Sequence, residues 1–399
     1  MASQPQWPLK FEEVTRSSMI FSRLNGSYPT ILTFNKLWWI NNIFWPSYSF
    51  FCFYISFYSV IYYDFKYKNY ADAIRNGTMS IVSLTVAFKH LLLLRHRVSI
   101  KDIIENIDRD YEAAKDFTEA EKNTVLRYAR LGTNICKFWV VMSIVTGLLF
   151  PVKSIALMGY YYFKGEFKLI PVMDLSYPFI NDYKNNPVMF CILFLSCVCF
   201  AMYAATSYIA FDPLVPAIVA HMCGQLELIS NRMLRLFSNA KSVDEIDENL
   251  KQINIKLMEI YRIINTVQKN FAILYEFVMK TTTFLMSFSA FQIVEGLKHN
   301  GISVEFVSFF FGSILHFYSP CYFSNLLMDK SEELRQAIYS CGWELQPDIR
   351  IRKTILLMLT KTTKSVVIRT VFVPICLDTF AEMARQAYGI YNLMNAAWG

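Results

Sequence analysis

Charge is scarce in this chain. Asp, Glu, Lys and Arg make up only 18% of its 399 residues, against 54% of hydrophobic type, and the mean hydropathy is +0.29. The charges fall in blocks between long uncharged runs, the pattern of membrane spans alternating with water-exposed loops rather than of a soluble core. Histidine is rarer still: the five present (His90, His96, His221, His299, His316) show no metal-ligand spacing. The nine cysteines lie mostly inside apolar runs (Cys52, Cys136, Cys191, Cys197, Cys199) without a pairing pattern for zinc or a secreted disulfide framework, so they read as small packing residues. There is no hydrolase elbow, phosphate-binding loop, zinc-protease helix or dinucleotide-binding glycine fingerprint, so neither an enzyme nor a cofactor or metal site is expected. The N-terminus lacks a basic patch followed by an apolar stretch, so no cleavable signal peptide is expected and the first span serves as the insertion signal. The net charge of +7 is not gathered into a basic cluster interleaved with aromatics, which speaks against nucleic acid and fits loops held against anionic membrane lipid.

Seven regions are long and apolar enough to cross about 30 Å of hydrocarbon. They are about 37–63, 72–94, 132–160, 187–220, 270–296, 303–327 and 369–397. An odd number puts the termini on opposite sides. The expected class is therefore an all-α membrane protein of seven transmembrane helices. Charged, heptad-like segments follow spans two and four and read as amphipathic helices continuing out of the membrane. In the second of these, Ile246, Leu250, Ile253, Leu257, Ile260 and Ile264 recur at helical spacing. These two segments, a third polar segment at about 328–365 and the N-terminus share one side, which carries most of the Lys and Arg and is expected to be cytoplasmic. The opposite loop between spans three and four is aromatic and proline-bearing, and is expected to fold over a pocket as a lid. Asn76-Gly77-Thr78 is a glycosylation sequon on that side, close to span two.

Seven helices raise a G-protein-coupled receptor as an alternative, and Asp108-Arg109-Asp110-Tyr111 resembles that family's Asp-Arg-Tyr sequence. It follows the second span instead of the third, no Asn-Pro-x-x-Tyr closes the seventh, and the topology is inverted. The tetrapeptide reads as a solvated helix face. A transporter should show internal repeats, and the two halves show none.

From span four onward a different order of residues is met. It comprises Cys321-Tyr322 and Asn325; Ser331, Leu334, Ala337-Ile338-Tyr339 and Trp343; Arg352-Lys353 and Leu356-Leu357; Leu377 and Thr379-Phe380; and Tyr388, Tyr391 and Leu393. Upstream stand Leu169-Ile170-Pro171, Tyr177-Pro178-Phe179, Pro187 and Asp212. This set resembles the insect odorant receptor family, with the first 130 residues similar in layout only. Ser324 stands where that family usually has glycine, Ser365 where proline is common, and Ala387, Gly389 and Asn392 replace Ser, Ser and Thr of the last helix. The chain lacks the long loop of the family's co-receptor and the Tyr-hydrophobic-Gln-Phe ending of gustatory receptors, so it resembles an odor-tuning subunit.

The resemblance implies the odorant-binding subunit of a heteromeric ligand-gated non-selective cation channel, a heterotetramer with the odorant co-receptor in the plasma membrane of sensory dendrites, opened by small volatile organic ligands. A seven-helix chemoreceptor signalling through a cytosolic partner, or a gustatory-type receptor channel, is the alternative. It further implies a cytoplasmic N-terminal segment at 1–36, transmembrane helices one to six with an odorant-binding bundle at 37–327, a cytoplasmic anchor segment at 328–368, and a pore-lining seventh helix at 369–399. Asp378, Glu382, Arg385, Gly389, Leu393 and Ala397 fall at spacings of three or four and form one stripe on the last helix. Its charges either line a wet vestibule or pair within the helix. Leu393 aligns with the family's gate, where aliphatic side chains close a pore by dewetting it, and Ala397 is smaller than the family norm. The ligand site implied among spans two, three, four and six points to Met79, Val82, Ser143, Thr146, Phe150, Met189, Ile192 and Phe310. Of these, Ser143, Thr146 and Phe150 set hydroxyls beside an aromatic, which suits a small apolar ligand with one polar group.

Overall fold

The structure is a computed structural model that describes residues 7–28, 35–166, 168–178, 180, 183–239, 242–298 and 303–398. Phe179 and His299 lie outside the described residues. Two short helices, α1 (Phe11–Val14) and α2 (Arg16–Leu24), precede α3 (Lys36–Ser59), α4 (Tyr70–Ala113), α5 (Glu119–Phe163) and α6 (Pro187–Phe211). There follow α7 (Leu214–Leu234), α8 (Leu236–Asn239), α9 (Val243–Lys298), α10 (Val304–Tyr339), α11 (Ile349–Lys361) and α12 (Leu377–Trp398). Among the described residues there is no strand, only two isolated bridges.

The seven-helix bundle consists of α3, α4, α5, α6, α9, α10 and α12. Five of its helices, α4, α5, α6 with its continuation, α9 and α10, are long and apolar enough to cross a membrane by length and composition alone. The other two are α3, with Trp, Tyr and Asn scattered along it, and α12, with Asp378, Glu382 and Arg385. At 1.5 Å per residue the 44 residues of α4 extend about 65 Å, twice the roughly 30 Å of hydrocarbon. Half of such a helix must therefore lie beyond the bilayer, and it does so on one side, here termed the extension side; the α3–α4 and α5–α6 connections lie on the other, the lid side. The chain turns from α4 into α5 through a 3-10 turn, and α5 starts on a capping box in which the Thr118 hydroxyl accepts from Glu121 N and Glu121 Oε2 accepts from Thr118 N at 3.2 Å.

The main hydrophobic core lies on the extension side. Ile100, Ile103, Ile104 and Ile107 of α4 meet α7, which is buried along nearly its whole length, and the α9 stripe Ile246, Leu250, Ile253, Leu257, Ile260 and Ile264, every member of which is buried. Leu327, Leu334 and Ile338 of α10 and Ile351, Ile355 and Met358 of α11 close it.

Three sequence expectations need correction. Span four does not run unbroken over 187–220: the helix is interrupted at Asp212-Pro213, where proline removes an N–H from the helical ladder, and the chain re-enters as α7. The last helix begins at Leu377, not 369, because Arg369 and Pro374 form a bridge and Thr370 Oγ1 accepts from Phe372 N and Val373 N at 3.2 and 3.0 Å. The tetrapeptide Asp108-Arg109-Asp110-Tyr111 is not a solvated face. Tyr111 is 2% exposed, Asp108 Oδ1 accepts from the Phe11 N–H at 2.7 Å and so docks α1, and Asp110 pairs with His221 at 2.9 Å and with Lys256. The periodicity concealed this, because the partners come from three other segments. Burial alone would push Asp110 up; the His221 hydrogen bond, then Lys256, hold it below the usual carboxylate range.

Candidate functional site

Between α3, α4, α5, α6 and α10 on the lid side lies a cavity of about 380 Å³, within the size range of small-molecule sites. Each helix gives it residues at spacings of three and four. On α5 these are Trp139, Ser143, Thr146, Gly147 and Phe150; on α6 Leu193, Ser196, Cys197, Phe200, Ala201, Ala204, Ala205 and Tyr208; on α10 Phe309, Gly312, Ser313 and His316. Small residues make the room. A Cβ added at Gly312 would meet nothing nearer than Thr146 Oγ1 at 3.9 Å, whereas one at Gly147 would come within 3.4 Å of the Ala205 Cβ, so Gly147 permits the close approach of α5 and α6.

The roof is the α5–α6 connection: Val172, Met173, Leu175, Tyr177, Pro178 and Ile180 line the cavity. It is tied down by polar contacts to three helices. Ser154 Oγ donates to Pro171 O (3.1 Å), Ser176 N to Ser59 Oγ (3.0 Å), and Asn76 Nδ2 to Asp174 O (3.1 Å) and Asp64 Oδ2 (2.8 Å). Asn76 is thus fully buried and closed to glycosylation in the folded chain. Lys153 and Glu305 form an ion pair that clamps α5 to α10 at the same end.

Most polar atoms of the wall are already engaged. Thr146 Oγ1 lies 3.0 Å from Ser308 Oγ, and the Tyr48 hydroxyl donates to Ser196 O at 2.7 Å. The Ser143 hydroxyl and the buried Trp139 indole N–H, both at the cavity wall, have no hydrogen-bond partner among the described residues and are free polar handles of the chamber. Phe150 meets Phe306 edge to face at 5.7 Å.

The floor is ionic. Lys89 Nζ lies 2.6 Å from Asp212 Oδ1 and 2.7 Å from His316 Nε2, with side chains at most 6% exposed. An ammonium only donates, so His316 accepts at Nε2 and carries its proton on Nδ1, 3.2 Å from Thr282 Oγ1. Tyr208 covers the ammonium, 4.0 Å from ring centroid to Nζ. The cluster joins α4, the α6–α7 break, α9 and α10, and both Tyr208 and His316 face the cavity. Buried charges persist only when paired in this way.

Of the residues singled out from the sequence, Met79, Val82, Ser143, Thr146 and Phe150 line this cavity. Met189, Ile192 and Phe310 do not: Ile192 is 57% exposed on the outer face of α6, and Phe310 packs against the main core. One residue along a helix rotates a side chain by about 100°, which is the difference between Phe310 and its cavity-lining neighbour Phe309, and between Ile192 and Leu193. Trp139, Phe200, Tyr208 and His316 were passed over, although the recurrence of Ser, Gly and Ala at their helical spacing marks the same faces.

On α12 the stripe Asp378, Glu382, Arg385, Gly389, Leu393 and Ala397 faces away from the bundle, with Leu393 73% exposed. Arg385 Nη1 donates to Glu382 Oε2 at 2.8 Å, so these two charges pair along the helix. The opposite face, Met383, Ala387 and Met394, is buried. Ser287 Oγ donates to Ala387 O at 2.8 Å, and Trp398 stacks on Tyr70 at 5.2 Å.

The family model of the 7tm odorant receptors matches residues 69–388. Odorant receptor 13a of Drosophila melanogaster is 24% identical over 227 residues, 52% of this chain and 53% of its own, so the match spans about half its length. Odorant receptor 67c of the same species is 22% identical over 336 residues, covering 79% and 78%. The structure of the insect olfactory receptor OR5 from Machilis hrabei in complex with eugenol superposes with a TM-score of 0.77 at 14% identity, over 97% of this chain and 98% of that one. The likeness in fold thus extends over nearly the whole molecule.

Proposed function

The chain belongs to the insect 7tm odorant receptor family, and from that premise we propose that it is the odorant-binding subunit of a heteromeric, ligand-gated, non-selective cation channel. It is a multi-pass membrane receptor, not an enzyme. On this reading the extension side is cytoplasmic, the channel sits in the plasma membrane of a sensory dendrite, and its partner is the family's co-receptor in a heterotetramer. The observation that carries the ligand assignment is the roofed, largely apolar cavity with unpartnered polar groups in its wall, Ser143 among them, and an ionic floor that ties four segments together.

A volatile of about ten heavy atoms gaining roughly 0.5 kcal/mol per atom binds with about −5 kcal/mol, a dissociation constant near 10⁻⁴ M. Ser143, Thr146 and Phe150 orient the ligand, with Met79 and Val82 opposite. Opening requires the ligand to favour the cavity shape of the open state, since equal binding to both states shifts nothing. The exposed stripe of α12 faces the ion path, with Leu393 at the gate and Ala397 one turn beyond it, and Glu382 and Arg385 neutralise each other beside the path.

The test is whole-cell and then excised-patch recording from cells expressing this chain with and without an insect odorant co-receptor, while a broad panel of volatiles is applied. Current that needs both chains and persists in cell-free patches supports the channel. Responses confined to intact cells and dependent on a G protein would replace it with a receptor that signals through a cytosolic partner.

A further inference from the structure

A second concavity lies on the extension side, where α9 approaches the membrane and the chain passes from α11 into α12. This cleft of about 850 Å³ is lined by Arg262 and Lys269 from α9 and by Lys361, Lys364 and Arg369 from the connecting segment. Against five cations it holds one carboxylate, Glu259, which Lys256 already engages at 3.0 Å. None of the five forms an ion pair among the described residues. Some other cations on this side are answered, as in Lys256 with Asp110, Arg232 with Glu121 and Arg127 with Glu227, whereas here five unanswered ones line a single concavity. Neutral donors complete the cleft: the side-chain amides of Asn265 and Gln268, and Ser365, which stands where the family commonly has proline and so adds a hydroxyl and a backbone N–H.

Just past Arg369 the same connection presents Val371 and Phe372, 52% and 75% exposed. Basic residues with an apolar tip beside them are how a chain meets a bilayer surface that carries negative charge. We propose that this cleft binds the phosphorylated headgroup of an anionic inner-leaflet lipid of the phosphoinositide class, with its acyl chains lying along Val371 and Phe372. A doubly phosphorylated headgroup supplies the charge and the acceptor oxygens that five cations and several neutral donors lack. The lipid bridges α9 and the segment leading into α12, so its occupancy biases the position of the last helix. The supply of such a lipid rests on the cytoplasmic assignment of the extension side made above; binding itself does not.

The full chain, purified in neutral detergent, is titrated with dioctanoyl phosphatidylinositol bisphosphate, dioctanoyl phosphatidylcholine and free inositol trisphosphate, and binding is read by native mass spectrometry or fluorescence. Saturable binding of the first, none of the second, and at least tenfold weaker binding of the third support the assignment. Replacing three exposed cations together (Arg262→Gln, Lys361→Gln, Lys364→Gln) is expected to weaken lipid binding on the order of a hundredfold. These positions contribute no ion pair to the fold, and an unchanged melting profile checks that the variant is folded. Equal binding by wild type and variant overturns the proposal. So does inositol trisphosphate binding as tightly as the lipid, which would assign the cleft to a soluble polyanion. Because the readout needs no current, failure here leaves the odorant reading standing, and a silent odorant panel leaves this one standing.

Discussion

The two sides of the bundle are built from the same helices and packed on different rules. On the extension side α4, α7, α9, α10 and α11 enclose a continuous apolar core in which α7 is surrounded, and ion pairs such as Asp110 with His221 and Lys256 tie the segments at the edges. On the lid side the core clusters are small, and space is left open between helices as the cavity. A dense interior resists change, whereas a chamber walled by Ser, Gly and Ala leaves side chains room to rearrange around a guest. On the reading proposed above, the difference suits the extension side to anchoring and the lid side to sensing, with the Lys89–Asp212–His316 cluster at the boundary.

Breaking that boundary should have the largest effect. Lys89→Met leaves Asp212 buried without its counter-charge and is expected to destabilise the fold by about 3–5 kcal/mol, read as loss of surface expression and of a cooperative melting transition. Adding Asp212→Leu should recover most of the loss, because the penalty lies in the unpaired charge. A double variant no better than the single one would show that the pair does more than balance charge.

The contrast in packing itself is measured by one pair of truncations. Leu257→Ala on α9, fully buried in the main core, should cost about 2–5 kcal/mol, and Leu193→Ala at the cavity wall about 1 kcal/mol or less, since its side chain already faces open space. Equal losses would dissolve the distinction between the two sides. Gly312→Leu sharpens it from the other direction: the added side chain has room only in the cavity, so ligand responses should fall at least tenfold while the melting temperature stays near wild type.

Acid should loosen the two sides unequally. Burial pushes Glu121 and Glu227 up, but Arg232 and Thr118 for the first, and Tyr128, Arg127 and Lys330 for the second, hold both below the usual carboxylate range, as Asp110 is held. A depressed carboxylate contributes stability that is present above its unfolded pKa and lost as pH falls through the folded one. Lys330, opposed by burial but raised by Glu333 and Glu227, contributes stability that is present below its unfolded pKa and lost as pH rises through the folded one. Hydrogen exchange should therefore show α4, α7 and α9 best protected near neutral pH and opening first on the extension side as pH drops below 4, since none of the cavity's apolar walls depends on these groups.

How much of this was legible follows from the kind of order involved. The α9 stripe from Ile246 to Ile264 was readable because burial on one helix face leaves a periodic trace, and the faces of α4 and α5 that hold Met79, Val82, Ser143, Thr146 and Phe150 were readable for the same reason. Ile192 and Phe310 were placed about one residue out of phase, since periodicity fixes a face only to within the 100° that one residue turns, whereas Met189, four residues before Leu193 on the same face, lies one turn beyond the lining. The Lys89–Asp212–His316 cluster, the docking of Phe11 on Asp108 and the polar ties of the lid join residues distant in sequence and leave no periodic trace at all. The break at Asp212-Pro213 was visible as a proline in an apolar run, but the run's hydrophobicity outweighed it.

The smallest expected effect concerns the link between the two sides. The segment entering α12 is held to α10 by two side-chain contacts: Ser331 Oγ accepts from Val366 N at 2.9 Å, and Ser324 Oγ from Ile368 N at 3.0 Å. Ser331 belongs to the residues the family resemblance rests on, whereas Ser324 stands where glycine is usual, so this chain holds its last helix by one more bond than a glycine there could provide. Ser324 is fully buried, and removing its hydroxyl leaves the Ile368 N–H without that partner. Ser324→Gly should cost about 1 kcal/mol, and about as much for Ser324→Ala, which separates the hydroxyl from the backbone freedom that glycine adds. If the bond is formed in only one position of α12, the same 1 kcal/mol shifts the open-to-closed ratio about fivefold and moves the ligand dose–response in both variants, with maximal binding to the cavity unchanged. If it is formed in both positions, melting falls and the dose–response stays where it is. The two variants thus report whether the segment before α12 moves relative to α10 when the channel opens.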